Sequence, residues 1–250
     1  MSLFDLTGRV ALVTGGNGGI GLGMAQGLAA AGARVLVVGR DAGKNAAALA
    51  ALGAGHGAFV ADVTVEAECR AAVAEAEARF GRLDVLMNNA GGNRRIRPET
   101  VELADWSAVL DMNLTSAYLM SRAAHPLLRR QGGKVVNIGS LLSLFGTAAS
   151  PAYAAAKGGI VQFTKVLATA WAVDGIQANA ILPGWVDTAL TEGARAQDPA
   201  LYERVLARTP AGRWGAAGDF AGIAVFLASS ASDWVTGTAI PVDGGFAAQG

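Results

Sequence analysis

The chain has 250 residues, of which 52% are hydrophobic and 16% charged, and 34 are glycine. This length suits one α/β domain with a sizeable core, and the composition excludes a disordered chain. Twenty basic and twenty acidic residues balance, so the net charge gives no case for a nucleic-acid or membrane-surface partner.

The N-terminal segment and the cysteine count bear on where the protein works. The opening residues, MSLFDLTGRV, contain no basic stretch followed by a long apolar run. No later segment reaches the roughly eighteen uninterrupted apolar residues of a membrane span. Cys69 is the only cysteine, and His56 and His125 lie in no metal-ligand pattern. We expect a cytoplasmic protein without a disulfide or a catalytic metal.

Short β-branched runs alternate with alanine-rich segments of helical periodicity along the whole chain. This alternation predicts repeated βαβ units and a buried parallel sheet. The predicted strands are residues 10–14, 34–39, 58–61, 85–88, 134–138, 177–182 and 239–242. Helices are expected in the gaps between them, including residues 19–31, 66–80, 104–130, 152–174 and 219–229. Residues 186–213 are less apolar and predict an excursion with short helices, a candidate substrate lid.

The first predicted strand runs directly into TGGNGGIG, residues 14–21, and then into a helix. Three of the glycines form a G-x-x-x-G-x-G pattern, whose missing side chains let backbone N–H groups and the helix N-terminus approach a pyrophosphate. Glycines that serve only a tight turn or a close helix contact are the alternative interpretation. The expected cofactor-binding residues of this turn are Gly15, Asn17, Gly18, Gly19, Ile20 and Gly21.

The end of the second predicted strand, VVGRD, bears on the choice between NAD and NADP. An acidic residue at this point would bond the ribose 2′-hydroxyl, and an arginine would pair with a 2′-phosphate. Gly39 occupies the position expected to be acidic and Arg40 follows it, so the sequence favours NADP. Asp41 turned back towards the ribose, or a solvated Arg40, would remove that preference. Asp62, with Val63 beside it, is a candidate to reach the adenine, or else a turn or helix cap.

In SPAYAAAKGGI, Tyr153 and Lys157 lie four residues apart on a predicted helix and therefore on one face. An adjacent ammonium favours the phenolate, so we expect Lys157 to lower the Tyr153 pKa from its usual value of about 10. The Y-x-x-x-K pattern also occurs by chance, and by itself it is compatible with a structural role. Ser140 ends the fifth predicted strand, at the sheet edge where ligands of parallel sheets bind.

These motifs together resemble the short-chain dehydrogenase/reductase family over essentially the whole chain. The resemblance rests on TGGNGGIG, NNAG at residues 88–91, Asn113 in MNLTSA, Ser140, Tyr153 with Lys157, and PGWVDT at residues 183–188. It implies a single-domain Rossmann fold over residues 1–250, with a seven-stranded doubly wound parallel sheet and helices on both faces. It also implies an NAD(P)-dependent enzyme that interconverts a secondary alcohol and a ketone. Gly18 departs from the pattern, because many members carry a larger residue there.

The resemblance implies a role for each matching residue. Tyr153 would be the general acid/base, and Ser140 would hold the reacting oxygen. Lys157 would bond the nicotinamide ribose, and Asn113 would position a proton-relaying water. Structural roles remain open for single residues, as a strand-end cap, a helix hydrogen bonder or a simple turn. Further implied cofactor contacts are Asn89, Ala90, Gly91, Pro183, Gly184, Val186 and Thr188.

Within that family the chain most resembles the sugar-acid branch, the gluconate and 2-dehydro-3-deoxy-D-gluconate 5-dehydrogenases. This likeness rests on an Arg-Arg pair soon after NNAG and on NIGSLLS, PAGRWG, FLASSASDWVTG and VDGG. Members of this branch with an arginine after the second strand also use NAD, so NAD stays open beside NADP. Alternatives are a 3-oxoacyl-carrier-protein-type reductase, a sugar or cyclic-alcohol reductase, and a non-catalytic dinucleotide-binding protein. The family is usually tetrameric, which implies a homotetramer, with a dimer as the alternative.

The run GGNRRIRP concentrates arginine next to NNAG, at the carboxyl edge of the fourth predicted strand. Ligands of open parallel sheets bind outside this edge, so an arginine facing the pocket could pair bidentately with a substrate carboxylate. A subunit contact and plain solvation are the other interpretations of Arg94, Arg95 and Arg97. The candidate substrate residues are Arg94, Arg95, Ser140 and Tyr153, and the expected substrate is a sugar acid or other small carboxylate.

Overall fold

The structure is a computed structural model that describes residues 3–249. Its strands are β1 Val10–Thr14, β2 Arg34–Gly39, β3 Gly57–Val60, β4 Val85–Asn88, β5 Gly133–Ile138, β6 Ile176–Pro183 and β7 Ala239–Val242. All seven join one parallel sheet in the order β3-β2-β1-β4-β5-β6-β7. The predicted count and class are confirmed, and three strands differ from their predicted bounds by one residue at one or both ends.

The central strands are buried along their whole length. Every residue of VALVT in β1, VLMN in β4 and GKVVNI in β5 is buried. A parallel strand covered on both faces loses the alternation of apolar and polar residues, which explains why these runs are continuous in the sequence.

Nine α-helices lie among residues 3–249. They are α1 Gly19–Ala30, α2 Ala42–Leu52, α3 Glu66–Phe80, α4 Leu103–Leu110, α5 Ser116–Leu128, α6 Pro151–Ala170, α7 Ala189–Gln197, α8 Leu201–Arg208 and α9 Ala221–Ala228. The predicted helix over 104–130 is divided by a π-helical turn, Asp111–Thr115, between α4 and α5. None of the helices in this range has the length and apolar character needed to cross a membrane.

Helices cover both faces of the sheet, as predicted. On one face, α3, α5 and α6 contribute Cys69, Met120 and Leu167 to a buried core. On the other face, α1 and α9 contribute residues such as Met24 and Leu227 to a second core. Each fully buried side chain of this size stabilises the fold by about 1.5–3 kcal/mol relative to exposure.

The topology fixes where a ligand binds. The chain passes from β1 to β2 and β3 on one side and returns to β4 on the other, so the strand order reverses between β1 and β4. In open α/β sheets the crevice outside the carboxyl ends of the strands at such a reversal is the binding site. The segments that follow β1, β4, β5 and β6 all begin at this edge.

Candidate active site

The glycine-rich turn after β1 is as tight as its sequence predicts. Gly15 and Gly19 have positive φ angles of 61° and 50°. A Cβ at Gly21 would lie 2.2 Å from Gly15 O and 2.4 Å from Asn89 Nδ2, so no larger residue fits there. Gly18 is different, because its φ is −177° and a Cβ would meet nothing within 4 Å. The departure at Gly18 therefore leaves the turn intact.

The end of β4 is fastened to this turn. Asn89 Nδ2 donates hydrogen bonds to Thr14 O and Gly15 O, at 3.0 and 3.1 Å. Thr14 Oγ1 accepts bonds of 3.0 Å from the backbone N–H groups of Asn89 and Ala90. NNAG thus sets the position of the glycine turn. The sequence did not indicate this role of Thr14, because a threonine at the end of a strand has no distinguishing pattern.

Two asparagines are hydrogen-bonded beside β2 and β3. Asn17 Nδ2 donates to Asn45 Oδ1 at 2.7 Å, and the buried Asn45 donates in turn to Gly39 O and Phe59 O, at 2.9 and 3.0 Å. A Cβ at Gly39 would lie 2.3 Å from Asn17 Nδ2. An acidic side chain at position 39 would therefore displace the side chains of Asn17 and Asn45. The sequence did not indicate a role for Asn45, because a single asparagine in an alanine-rich helix has no distinguishing pattern.

Arg40 and Asp62 face each other beyond Gly39. Arg40 Nη1 lies 3.6 Å from Asp62 Oδ2, and the arginine side chain is 68% exposed. Burial raises the pKa of Asp62, but hydrogen bonds from Thr64 and the charge of Arg40 outweigh it and lower that pKa overall. Asp41 caps α2 by accepting a bond from Lys44 N.

The four predicted catalytic residues line one cavity of about 950 Å³, at the sheet edge. Asn113, Ser140, Tyr153 and Lys157 reach it from the π-helical turn, the end of β5 and helix α6. Lys157 is 4% exposed, and its Nζ donates to Ile138 O at 2.7 Å. The structure therefore brings together all four side chains that the resemblance singled out.

Ser143 links β5 to α6 below the cavity. Its Oγ accepts a hydrogen bond from Ser140 N at 3.2 Å and donates to Lys157 O at 2.7 Å. Ser140 Oγ accepts from Leu142 N at 3.1 Å, which fixes its rotamer at the start of a short 3₁₀ turn. The hydroxyl of Ser143 therefore sets the relative positions of the Ser140 and Lys157 backbones.

Burial dominates the ionisation of Tyr153 and Lys157. It raises the pKa of Tyr153 to about 12, and a hydrogen bond with Ser140 offsets only part of this shift. It lowers the pKa of Lys157 to about 8. The prediction that Lys157 brings the Tyr153 pKa below about 10 is therefore wrong for the protein alone. Lys157 Nζ lies 5.5 Å from the Tyr153 ring centre and is bonded to Ile138 O.

Asn113 lies within the π-helical turn, a deformation that is frequent at functional sites. Its Nδ2 donates to Gly92 O at 2.7 Å and to Val109 O at 2.9 Å, and its Oδ1 accepts from Gly92 N at 3.3 Å. A Cβ at Gly91 would lie 2.6 Å from Asn113 Oδ1. The Asn113 side chain thus holds the loop after NNAG against the helix. It also forms a hydrogen bond within the helix, to Val109 O.

The segment after β6 closes the opposite wall. Pro183, Gly184, Val186 and Thr188 all line the cavity, as does Ile20. Thr188 is the N-cap of α7, and its Cγ2 lies 3.3 Å from where a Cβ of Gly19 would be. The predicted pyrophosphate turn and the predicted nicotinamide segment are therefore in contact.

The excursion over residues 186–213 contains α7 and α8 and is packed on a tryptophan cluster. Trp214 stacks on Tyr202 with ring centres 5.3 Å apart and contacts Trp185 at 5.6 Å. Ala194, Leu201 and Val205 are buried against this cluster. The excursion supplies cavity-lining residues from both helices, including Leu190, Gln197 and Arg208.

The three arginines after NNAG have different surroundings. Arg94 lines the cavity but pairs with Asp105, and Arg97 pairs with Glu99 and does not line it. Arg95 lines the cavity and is half-buried. Among residues 3–249 no carboxylate lies within ion-pair distance of Arg95. The pKa of Asp198 is lowered mainly by its hydrogen bond with Arg204, and the charge of Arg95 adds a smaller contribution. Arg95 is therefore the arginine of this loop that can take a ligand carboxylate.

The loop that carries Arg95 is tied to the start of α6. Asn93 Nδ2 donates a 3.0 Å hydrogen bond to Ser150 Oγ. Ser150 is 2% exposed and has a φ of 144°, a strained conformation for a residue other than glycine. Both residues line the cavity, so a strained backbone position fixes the arginine loop beside Tyr153.

These features fit a nicotinamide dinucleotide. The N-terminus of α1 begins at Gly19, where unpaired backbone N–H groups favour a phosphate. The glycines at positions 15, 19 and 21 leave the turn backbone open to a ligand. A volume of about 950 Å³ lies at the upper end of the range for cofactor and small-molecule sites.

Known proteins resemble the chain over its full length. A family model described as enoyl-(acyl carrier protein) reductase matches residues 15–247. The 2-dehydro-3-deoxy-D-gluconate 5-dehydrogenase of Escherichia coli is 41% identical, over 100% of this chain and 99% of its own. The gluconate 5-dehydrogenase of Gluconobacter oxydans is 39% identical, over 97% and 96% of the two chains.

One similar crystal structure bears directly on ligands. It is that of a gluconate 5-dehydrogenase from Burkholderia cenocepacia in complex with NADP and tartrate. It is 41% identical, covers 99% of this chain and 98% of its own, and has a TM-score of 0.93. The fold and the motifs therefore agree with the sequence likeness.

Proposed function

The chain belongs to the short-chain dehydrogenase/reductase family, and from this premise we propose that its substrate is a sugar acid or another small hydroxy carboxylate. The protein is an NAD(P)-dependent oxidoreductase that interconverts a secondary alcohol and a ketone. The observation that carries the substrate proposal is Arg95, a half-buried guanidinium in the cavity of Ser140 and Tyr153. The tartrate in the Burkholderia cenocepacia structure, a small hydroxy carboxylate, supports it.

The proposed mechanism assigns proton management to the protein. A bound nicotinamide accepts or supplies the hydride. Tyr153 transfers the proton of the substrate oxygen, and Ser140 donates a hydrogen bond to that oxygen. Lys157, whose Nζ lies 5.5 Å from the Tyr153 ring centre, would bond the nicotinamide ribose and favour the Tyr153 phenolate by its charge. Asn113 holds the loop that follows NNAG and positions a water for the proton relay.

Reduction of the ketone and oxidation of the alcohol need different protonation states of Tyr153. A pKa of about 12 keeps the phenol protonated at neutral pH, which is the form that donates a proton to a ketone oxygen during reduction. Oxidation needs the phenolate, which positive charge favours. Lys157, with a pKa of about 8, is largely charged at neutral pH. An oxidised nicotinamide, when bound, would supply a further positive charge to the site.

For the cofactor we propose NADP, with the pyrophosphate on the glycine turn and the 2′-phosphate at Arg40. The end of β2, where Gly39 and Arg40 stand in place of an acid, supports this choice over NAD, as does the NADP of the Burkholderia cenocepacia structure. The proposed cofactor contacts are Gly15, Asn17, Gly18, Gly19, Ile20, Gly21, Arg40, Asp62, Val63, Asn89, Ala90, Gly91, Tyr153, Lys157, Pro183, Gly184, Val186 and Thr188.

Replacing Arg40 with alanine is expected to lower the ratio of kcat/KM for NADPH to that for NADH by about tenfold, the value of one charge-assisted hydrogen bond. The measurement is steady-state kinetics with both cofactors at a fixed substrate concentration. Arg70→Ala is the matched control, because Arg70 is also exposed and paired with an acid, Glu66, but lies on α3. An unchanged ratio in Arg40→Ala would show that Arg40 does not bind the 2′-phosphate.

A substrate screen with both cofactors, followed by the absorbance of reduced nicotinamide, tests the substrate class. We expect turnover of sugar acids and small hydroxy acids, and we expect Arg95→Ala to raise KM for these acids about tenfold or more. Arg94→Ala and Arg97→Ala are the matched controls, because Asp105 and Glu99 already neutralise those arginines. Preferred turnover of neutral sugars, cyclic alcohols or acyl thioesters would contradict the proposal, as would an unchanged KM in Arg95→Ala.

The lid, the assembly and the location are part of the proposal. We infer that residues 186–213 act as a substrate lid, because α7 and α8 border the cavity and join the body through the Trp214 cluster. A homotetramer, with a dimer as the alternative, stays a prediction. Exposed apolar side chains on the long helices, Tyr118 and Val166, and the almost fully exposed Trp234 are consistent with subunit contacts. A cytoplasmic location also stays a prediction.

A further inference from the structure

Arg208 is a cavity-lining cation that the sequence did not single out. It lies at the C-terminal end of α8 and borders the same cavity as Ser140, Tyr153 and Arg95. We propose that Arg208 is a specificity-determining residue, which binds the carboxylate of an acidic substrate from the lid side of the cavity while Phe246 supports its guanidinium. This inference rests on the proposed function and adds a second recognition group to it.

The arginines around the lid show why Arg208 is distinctive. Arg204, one turn earlier on α8, pairs with Asp198. Arg195 on α7 pairs with Asp187 at 2.6 Å, and Arg213 pairs with Asp219 at 2.7 Å. For Arg208, no acid of residues 3–249 lies within ion-pair distance, so its charge is available for a ligand. Arg208 also lines the cavity, whereas none of those three arginines does.

The support from Phe246 prepares Arg208 for a planar anion. The guanidinium carbon of Arg208 lies 4.4 Å from the centre of the Phe246 ring. Stacking on an aromatic face leaves the N–H groups at the edge of the guanidinium free, and these form the fork that matches a carboxylate. A guanidinium that is already oriented loses less conformational entropy when it binds. Lysine at this position would keep the charge but lose the stacking and the fork.

Hydrogen bonds within the C-terminal turn hold Phe246 in position. Asp243 accepts hydrogen bonds from Gly245 N at 2.9 Å and from Ala247 N at 2.7 Å, which closes a turn around Phe246. Ala211 N donates to Gly244 O at 2.9 Å, so this turn is joined to the chain just after α8. A Cβ at Gly244, whose φ is 64°, would lie 2.9 Å from Thr209 Cγ2. The C-terminal turn and the end of the lid therefore hold Phe246 and Arg208 together.

Arg95 and Arg208 approach the cavity from different parts of the fold. Arg95 belongs to the loop after β4, which Asn93 fastens to α6, and Arg208 belongs to the lid. A carboxylate bound by both would connect the lid to the body of the protein, whereas a neutral substrate would leave the lid without this contact. Recognition of the acid and closure of the lid would then be one event.

The test compares an aldonate with the alditol of the same carbon number, using NADP and the full chain. Arg208→Ala is expected to lower the acid-to-alditol ratio of kcat/KM about tenfold or more, mainly through a higher KM for the acid. Arg208→Lys should recover part of the ratio, and Phe246→Leu should lower it by a few-fold in the same direction. Arg204→Ala is the matched control and should leave the ratio unchanged. The dissociation constant of NADPH, measured by fluorescence, reports whether each variant is folded.

Three outcomes would overturn the inference. If the wild-type protein prefers the acid and Arg208→Ala keeps that preference, Arg208 does not bind the carboxylate, and the proposed function stands. If Arg208→Ala lowers kcat/KM equally for the acid and the alditol, its role is structural. If the wild-type protein does not prefer the acid at all, the proposed function fails and the inference fails with it.

Discussion

Replacing Tyr153 with phenylalanine is expected to lower kcat by about 10²- to 10⁴-fold while leaving NADPH affinity within about threefold of the wild type. The substitution removes the phenolic oxygen and changes the ring shape very little. Without that oxygen no group at this position can transfer the substrate proton, and Ser140 keeps only its bond from Leu142 N. The remaining rate would come from orientation of the substrate and the cofactor.

The variant is informative because binding and chemistry can be measured separately. NADPH binding is followed by fluorescence titration, and turnover by absorbance of the reduced nicotinamide. Tyr118→Phe is the matched control, since Tyr118 lies on α5, is 45% exposed and packs edge-on against Phe163. Near-normal turnover in Tyr153→Phe would remove Tyr153 from the proposed mechanism. A loss of NADPH binding in the same variant would show a structural role instead.

The strands could be predicted because their signals are local. Runs such as VALVT in β1 and the VLVV within β2 are mostly apolar and rich in β-branched residues, as parallel strands covered on both faces require. The signal for the glycine turn is also local, because Gly15 and Gly19 need positive φ angles and Gly21 lacks the space for a Cβ. Residues that follow strand ends then gather at one sheet edge by topology alone.

Other features depend on packing between distant segments and left no local signal. The acid partner of Arg94 is Asp105 on α4, and the aromatic partner of Arg208 is Phe246 in the C-terminal turn. The pKa of Tyr153 is raised mainly by burial in the folded protein, and a hydrogen bond with Ser140 opposes this only in part. The sequence spacing correctly brought Tyr153 and Lys157 together, but it could not measure desolvation.

The π-helical turn shows the same limit within one helix. Residues 104–130 have continuous helical periodicity, and a π-helical turn interrupts them at Asp111–Thr115. Asn113 there bonds both Gly92 O and Val109 O. The first bond is to the loop after β4, which helical periodicity does not report. A single asparagine thereby joins a functional loop to the helix that carries it.

Replacing Gly21 with alanine is expected to abolish tight NADPH binding, with the dissociation constant raised about 100-fold or more. The new Cβ would lie 2.2 Å from Gly15 O and 2.9 Å from Gly15 C, so the turn must move away from the N-terminus of α1. Such a movement separates the backbone N–H groups from the pyrophosphate. Loss of one or two charge-assisted hydrogen bonds, at about 1.5–3 kcal/mol each, accounts for that factor.

The same substitution at Gly18 is the matched control, because a Cβ there meets nothing within 4 Å and the φ of −177° is open to any residue. Gly18→Ala should keep the NADPH dissociation constant within about threefold of the wild type, since the turn need not move. Overpacking should also lower the free energy of unfolding of Gly21→Ala by about 1–3 kcal/mol, which a urea titration would measure. Equal effects at the two positions would mean that the glycines supply flexibility alone. An effect at Gly21 only would mean that the space between Gly15, Gly21 and Asn89 determines the shape of the phosphate site.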